Sequence, residues 1–285
     1  MSGELDLDHL RQWIGREAVS EDVITPALAA RFHATLNLPG APASQGEAAP
    51  ALIHFCLCQP AAPMTELGGD GHPAKGGFLP PVPLPRRMWA SSAIDFHAGL
   101  RVGDVVAKRS RVAAVTAKSG RSGNLCFVTV EHEIRGHDGL AISERQTIVY
   151  REAAGPGASV APVPESAPQG VTVETIDASA PLLFRYSALT FNGHRIHYDL
   201  PYATGEEHYP GLVVHGPLQA TLLVHLAARC NGGRAPDHFS FRGVQPAIGG
   251  EALSLNAGPL IDNSMELWSA RPGGPLAMQA TAQWR

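Results

Sequence analysis

The amino-acid sequence predicts an α+β protein of two similar halves, each an antiparallel sheet wrapped around one helix. Each half begins with a helix-bearing part and a long loop, and continues as about four strand-like segments. In both halves a glycine-containing turn follows the first strand, at Arg101-Val-Gly-Asp and at Ala247-Ile-Gly-Gly-Glu. Between the halves lies a stretch rich in proline, alanine and glycine. Two such sheets can join edge to edge, which leaves neither inner edge unpaired.

The size, composition and charge of the chain indicate what class of protein it is. With 285 residues it can hold two domains of about 130 to 150 residues each. Hydrophobic residues make up 44% and charged residues 17%, which is typical of globular proteins and unlike disordered chains. The formal net charge of −4 offers no basic surface, so we expect no nucleic-acid partner.

No apolar run approaches the roughly 20 residues that a bilayer span needs, and the amino terminus is acidic. We therefore expect a cytoplasmic protein with no membrane partner. The four cysteines are too few and too scattered for a disulfide framework, and no two form a CxxC pair. Cys56-Leu-Cys58 could suggest a metal site, but ordinary buried or half-buried thiols are the favoured interpretation for Cys56, Cys58, Cys126 and Cys230.

The first half begins with 37 residues that we predict to be helical. Thr25-Pro26 is typical of a helix start, because threonine caps well and proline suits the first helical position. Residues 38–50 have the composition of a connection, and the apolar run 51–58 shows no decisive periodicity. From Gln59 to Pro85 the chain is rich in proline and glycine, and a loop of this length is usually functional or disordered.

We place a linker at residues 153–180, which makes residues 1–152 and 181–285 the two predicted domains. The strand-like segments of the first domain are 92–97, 105–115, 125–134 and 141–150. In the second domain a helix from about Pro217 to Arg229 is stopped by Asn231-Gly-Gly. The strand-like segments that follow it are 238–244, 252–256, 264–270 and 276–284.

One short segment concentrates the side chains that could carry chemistry. Thirteen histidines are spread over the chain, so a single histidine is weak evidence. The segment Phe184–Asp199, however, gathers two histidines, an asparagine, an arginine and an aspartate within eight residues. They are Asn192, His194, Arg195, His197 and Asp199.

A second informative stretch is Val214-His-Gly-Pro217, at the start of the predicted helix. A glycine there lets a ligand approach the backbone closely. The free N–H groups and the positive dipole end of a helix start suit a developing oxyanion. An ordinary Gly-Pro helix start remains an equally good interpretation of this stretch alone.

Together these stretches resemble the MaoC-like (R)-specific enoyl-CoA hydratases and type 2 hydroxyacyl-thioester dehydratases. Asn192-Gly-His-Arg-Ile-His197 is similar to that family's first motif, and Val214-His-Gly216 is similar to its second. The form Phe-Asn-x-His-Arg-Ile-His-Tyr-Asp resembles the branch that hydrates mesaconyl-C4-CoA and itaconyl-CoA. Phe78-Leu-Pro-Pro-Val-Pro-Leu-Pro-Arg-Arg-Met-Trp also resembles the amino-terminal domain of that branch.

The resemblance implies a double hotdog fold and a hydro-lyase of itaconate degradation whose product is citramalyl-CoA. It implies that His197 works on the proton of water and that the Gly216 N–H holds the thioester oxygen. His194 and His215 would contact the acyl-CoA substrate. Coenzyme A would be part of that substrate, so we expect no cofactor and no metal. We also expect a homo-oligomer.

The chain departs from the family at Asn192, where the broad family has aspartate. An amide cannot accept a proton at neutral pH, so Asn192 would orient the water and leave His197 as the acid–base group. A substrate carboxylate would explain the change, because two unit charges ~4 Å apart cost about 4 kcal/mol at an effective dielectric of about 20. Arg195, or the pair Arg86 and Arg87, could then bind that carboxylate. A structural ion pair of Arg195 with Asp199 is an equally good interpretation.

Other functions stay open at this point. His194, His197 and Asp199 could form a small metal-ligand set for a hydrolase, although no established zinc pattern is present. A non-catalytic acyl-thioester binding module is possible, since fold does not fix function. Among enzymes, the alternatives are a dehydratase or hydratase for linear acyl chains and, less favoured, a thioesterase.

Overall fold

The computed structural model describes residues 5–120, 123–152 and 165–285, and within them five helices and ten strands. The helices are α1 (Leu7–Arg11), α2 (Pro26–Leu36), α3 (Ala180–Leu189), α4 (Leu200–Gly205) and α5 (Gly216–Cys230). The strands are β1 (Glu17–Val23), β2 (Arg86–Phe96), β3 (Val105–Gly120), β4 (Gly123–Gly136), β5 (Gly139–Arg151), β6 (Thr172–Asp177), β7 (His238–Gly243), β8 (Ala252–Ala257), β9 (Ser264–Ala270) and β10 (Leu276–Gln283). Short 3₁₀ turns cover Ile53–Cys56, Met64–Glu66 and Arg195–His197.

The strands form one antiparallel sheet in the order β1-β3-β4-β5-β2-β7-β10-β9-β8-β6. β2 of the first half pairs with β7 of the second, from Ser91 opposite Arg242 to Asp95 opposite His238. The predicted edge-to-edge junction is therefore present, and no inner edge of either half is left unpaired. The α+β fold class is confirmed, and all eight predicted strand segments coincide with observed strands.

α5 is the central helix of the second half. Pro217 occupies its first turn, and nine of its side chains are buried. Leu218 and Leu223 of α5 belong to the same hydrophobic core as Phe32 and Leu36 of α2. The first half has no helix of comparable length in the described residues, and its shorter α2 packs against α3. One core therefore continues across the junction of the two halves.

Two segments differ from the sequence prediction. Glu17–Val23, predicted to be helical, is an edge strand that pairs with the long β3. All seven of its side chains are exposed, so it carries no apolar alternation that would indicate a strand. Thr172–Asp177, inside the predicted linker, forms β6 on β8, while residues 153–164 lie outside the described residues. The division of the chain into domains stays a prediction.

Three further expectations concern the run 51–58, the cysteines and membrane-spanning helices. The undecided run 51–58 contains a buried 3₁₀ turn at Ile53–Cys56. All four cysteines are free thiols, with Cys56 and Cys126 buried and the other two half-buried. No helix in the described ranges is long and apolar enough to cross a bilayer.

Candidate active site

A cavity of about 1410 Å³ runs between the two halves. The first half contributes much of the loop 59–79 and parts of β2 and β5. The second half contributes residues of α3, the segment 190–198 and the start of α5. The long proline- and glycine-rich loop thus lies along a cavity wall. The volume exceeds the roughly 300–1,000 Å³ of a typical small-molecule pocket.

His197 ends the 3₁₀ turn Arg195–His197 and lines this cavity. Its Nδ1 lies 2.7 Å from the carbonyl oxygen of Val213, to which it donates. This bond fixes the neutral tautomer and leaves Nε2 as an acceptor with no protein partner in the described structure. Burial, and then the neighbouring His215 and His194, lower the pKa of His197 well below its usual value. The imidazole is therefore a neutral base at pH 7.

His215 lies behind His197 and is fully buried. The two rings stack with centroids 3.7 Å apart and an interplanar angle of 19°. Nε2 of His215 is 2.8 Å from the hydroxyl oxygen of Ser187. The predicted contact of His215 with substrate finds no support in this placement, since its ring faces His197 and Tyr186 instead of the cavity.

Asn192 lines the cavity beside His197. Its Oδ1 accepts a hydrogen bond of 2.9 Å from the backbone N–H of His194. That bond orients the amide and leaves the Nδ2 group without a protein acceptor among the described residues. Asn192 can therefore donate a hydrogen bond to a water oxygen in the cavity, and its water-orienting role stays a prediction.

Gly216 is the first residue of α5 and lines the same cavity. Its N–H has no backbone or side-chain acceptor among the described residues. A Cβ built on Gly216 would meet only Met278 Cε at 3.8 Å and the Trp89 carbonyl oxygen at 3.9 Å, which are ordinary contacts. The protein itself does not force glycine here, so the open space is available to a ligand.

The three predicted arginines have different surroundings. Arg195 forms an ion pair of 2.8 Å with Asp199, donates to the Gly69 carbonyl and lies over the ring of Tyr202. Its side chain is not on the cavity wall. Arg86 lines the wall, but its guanidinium pairs with the side chain of Glu207 and donates to the carbonyl of the same residue. Both groups are therefore already neutralised by carboxylates.

Arg87 also lines the wall and is less well paired. Its Nη2 lies 3.3 Å from the Pro73 carbonyl oxygen and 3.8 Å from Asp70 Oδ2. Its Nε is buried without a hydrogen-bond partner in the described structure. Of the three arginines, it is the one whose charge is least compensated.

Two residues that the sequence analysis did not single out join the site from the first half. His72 lines the cavity, and its Nδ1 is 3.0 Å from Asp70 Oδ2. The His72 ring lies 4.2 Å from the ring of His194, which in turn lies 5.3 Å from that of His197. A signal was present in the loop segment Gly68-Gly-Asp-Gly-His-Pro, but only the fold brings it next to Asn192 and His197.

A close backbone contact fixes this arrangement. A Cβ on Gly71 would lie 2.0 Å from the carbonyl oxygen of Gly193, and the φ of Gly71 is +85°. In the other direction, a Cβ on Gly193 would lie 2.7 Å from the Gly71 carbonyl oxygen. Only glycine lets the loop of the first half approach the motif of the second this closely.

The metal-ligand set considered from the sequence is not assembled. Asp199 pairs with Arg195 and caps α4, so it does not join His194 and His197. The residues that could hold a cation are instead Asp70, His72 and His194, whose ligand atoms lie within 4.8 Å of one another. The Arg87 guanidinium, 3.8 Å from Asp70, opposes a second positive charge there.

A family model describing hydroxyacyl-thioester dehydratase type 2 matches residues 51–249. The chain belongs to this family. It is 46% identical over 274 residues to the mesaconyl-C(4)-CoA hydratase of Chloroflexus aurantiacus, with 95% of this chain and 96% of the relative covered. The resemblance suggested by the two motifs is thus confirmed.

Solved structures agree on the fold. HtdX of Mycobacterium tuberculosis superposes with a TM-score of 0.68 at 19% identity, covering 94% of this chain and 99% of HtdX. A second protein of that organism, described as having a double hotdog fold, gives a TM-score of 0.56 at 13% identity, covering 95% and 96% of the two chains. This member of the dehydratase family therefore has a double hotdog fold. It is a hydro-lyase of the hydratase or dehydratase type.

Proposed function

We propose that the enzyme is an acyl-CoA hydratase that adds water to an unsaturated C5-dicarboxyl CoA thioester. The substrate would be mesaconyl-C4-CoA or itaconyl-CoA, and the product citramalyl-CoA. The observation that carries the proposal is that Nε2 of His197 and the N–H of Gly216 line one cavity, and neither has a hydrogen-bond partner among the described residues. Val213, which holds His197, lies three residues before Gly216, so one short segment sets both groups.

The mechanism of hydration of mesaconyl-C4-CoA, whose double bond is conjugated with the thioester, follows from these groups. Nε2 of His197 takes a proton from a water that Asn192 Nδ2 orients, and the water oxygen forms a bond to the β-carbon. The electron pair of the double bond moves to the thioester oxygen, where the Gly216 N–H stabilises the developing negative charge. The imidazolium of His197 then returns the proton to the α-carbon, so the atoms of one water are added.

The charges on the wall favour an anionic substrate. Four cationic residues and one carboxylate, Glu66, line the cavity within the described ranges. The cations are Lys75, Arg86, Arg87 and Arg151. The size of the cavity accommodates an elongated thioester, and the relative from Chloroflexus aurantiacus is named for a dicarboxyl substrate. We also propose that the enzyme is cytoplasmic, forms a homo-oligomer and works without a metal or cofactor.

A hydratase or dehydratase for linear acyl chains is the second candidate, because the matching family model is described as a hydroxyacyl-thioester dehydratase. The two are separated by measuring hydration of crotonyl-CoA, mesaconyl-C4-CoA and itaconyl-CoA, with products resolved by chromatography. We expect kcat/KM to be highest for a dicarboxyl ester. A preference for crotonyl-CoA would favour the linear-chain enzyme, and turnover of none of the three would contradict both.

A further inference from the structure

We infer that the first half supplies the binding site for the free carboxylate of the substrate, formed by Arg87 and held in place by Asp70 and His72. This inference rests on the proposed function and names the group that would select the acyl chain. The reacting groups His197 and Gly216 would then belong to the second half and the selecting group to the first.

The chemistry of the substrate fixes where this site must be. In mesaconyl-C4-CoA the free carboxylate is attached to the carbon that receives the hydroxyl group. Its binding group must therefore lie on the side of the cavity where His197 activates water, and away from Gly216, which holds the thioester oxygen. From His197 a row of side chains leads through His194 and His72 to Asp70. The ring centroids of His197 and His194 are 5.3 Å apart, and those of His194 and His72 are 4.2 Å apart. His72 Nδ1 is 3.0 Å from Asp70 Oδ2. Arg87 stands at the end of this row.

Three other cations are already engaged by protein groups. Arg86 pairs with Glu207, and Arg195 pairs with Asp199 away from the wall. Lys75 donates to the carbonyl oxygens of Val82 and Leu84. Arg151, also on the wall, lies opposite Arg86 in the β2–β5 pairing, whereas Arg87 is the arginine that approaches Asp70.

The positive charge of Arg87, in contrast, is only partly compensated by the protein. Its side chain is only 10% exposed, yet its nearest carboxylate oxygen is 3.8 Å away and is shared with His72, which lies closer at 3.0 Å. A largely buried cation without a close counter-ion is unfavourable. A substrate carboxylate would supply the missing charge and could accept the bidentate pair of hydrogen bonds that a guanidinium offers.

Asp70 and His72 serve as positioning residues in this arrangement. Asp70 accepts hydrogen bonds from both the backbone and the ring of His72, and its backbone carbonyl accepts from the N–H of Arg195. The Gly71–Gly193 contact holds the same loop against the catalytic motif. Arg87 therefore meets a carboxylate oxygen whose position is set by both halves.

The test compares two saturated thioesters that cannot be hydrated. Succinyl-CoA carries a carboxylate where butyryl-CoA carries a methyl group, and both are measured as competitive inhibitors of crotonyl-CoA hydration. In the wild type we expect succinyl-CoA to bind more tightly. In Arg87→Met the ratio of the two inhibition constants should shrink by about ten- to a hundredfold, the value of a charge-assisted hydrogen bond in a site built for it.

Three controls define the outcome. Arg229→Met removes a surface arginine paired with Glu174 and should not change the ratio. Arg195→Met tests the competing candidate, and loss of the preference in that variant but not in Arg87→Met would assign the carboxylate to Arg195. Arg87→Lys keeps the charge without the planar fork, and it should retain part of the preference if Arg87→Met does not fold. An unchanged ratio in folded Arg87 variants would overturn the inference. If wild-type enzyme hydrates mesaconyl-C4-CoA in that case, the proposed function still stands; if it hydrates only crotonyl-CoA, the proposed function fails independently.

Discussion

At the scale of the residue, the environment of His197 determines its chemistry. The Val213 carbonyl oxygen accepts a hydrogen bond from Nδ1 of the ring. Burial and then the neighbouring imidazoles of His215, His194 and His72 disfavour a charge on the ring and lower its pKa. Because the side-chain amide of Asn192 cannot accept a proton at neutral pH, the proposed mechanism assigns the proton transfer to this one imidazole. A neutral ring with one free lone pair is the form that can accept a proton from water.

We predict that His197→Ala lowers turnover of both mesaconyl-C4-CoA and crotonyl-CoA by ~10²–10⁴-fold, because the group moves the proton for every substrate. Single-substrate assays on folded protein would measure this. The control is His137→Ala, which changes an exposed histidine in the turn between β4 and β5. Turnover near the wild-type value in His197→Ala would contradict the acid–base role.

We predict that Gly216→Val lowers turnover by ~10²–10³-fold, because a side chain that keeps the thioester oxygen away from the N–H has the same effect as losing one oxyanion donor. The branched side chain would project into the space that the thioester oxygen needs. The fold should survive, since a Cβ at this position meets only ordinary contacts. Measurement of kcat together with circular dichroism separates the two effects, and a fully active Gly216→Val enzyme would refute the assignment.

At the scale of the element, the loop 59–79 decides how the halves meet at the active site. Gly71 touches the carbonyl of Gly193, whereas Gly69 in the same loop has open space around it and no left-handed backbone. These two glycines therefore differ in what they tolerate, although they are two residues apart.

We predict that Gly71→Ala reduces both the melting temperature and the turnover, because a Cβ 2.0 Å from the Gly193 carbonyl oxygen forces the loop away from the motif. The positive φ adds strain of about 1 kcal/mol or more. Gly69→Ala is the matched control and should behave like the wild type. Equal effects of the two substitutions, seen by differential scanning fluorimetry and assay, would argue against this contact.

The sequence predicted those elements whose pattern is local. The eight inner strands and α5 carry apolar spacing, turns and caps that are visible along the chain. β1 and β6 were missed because edge strands pair on one side only, and their side chains are mostly exposed. Asn192, His197 and Gly216 could be predicted as site residues because motifs group them, and all three line the same cavity. Asp70 and His72 lie more than a hundred residues away in sequence, so only the folded chain shows their proximity.

At the scale of the whole molecule, several buried or half-buried histidines are uncharged at neutral pH. Burial lowers the pKa of His72 to about 4, of His132 to about 4, of His215 to about 3 and of His225 to about 4. In the unfolded chain each would titrate near ~6.5. Between about pH 6.5 and pH 4 the unfolded chain therefore binds protons that the folded chain does not.

We predict that the free energy of unfolding falls as the pH is lowered through this window. The sign follows from linkage, since stability rises with pH wherever the unfolded state holds more protons. Each histidine contributes at most ~1.4 kcal/mol per pH unit. Urea titrations at pH 7.5 and pH 5 would measure the change. In His225→Gln the pH dependence should weaken, and an unchanged dependence would show that His225 is not one of the groups responsible.

The Gly71–Gly193 contact also restricts how the halves of homologous proteins can be exchanged. The loop and the motif that touch there lie on either side of the junction where recombination between homologous genes would exchange whole halves. A chimera would inherit a loop shaped for one motif and a motif shaped for another loop, and a single side chain at either glycine would keep them apart. An exchange of halves should therefore preserve activity only when both glycines come with it.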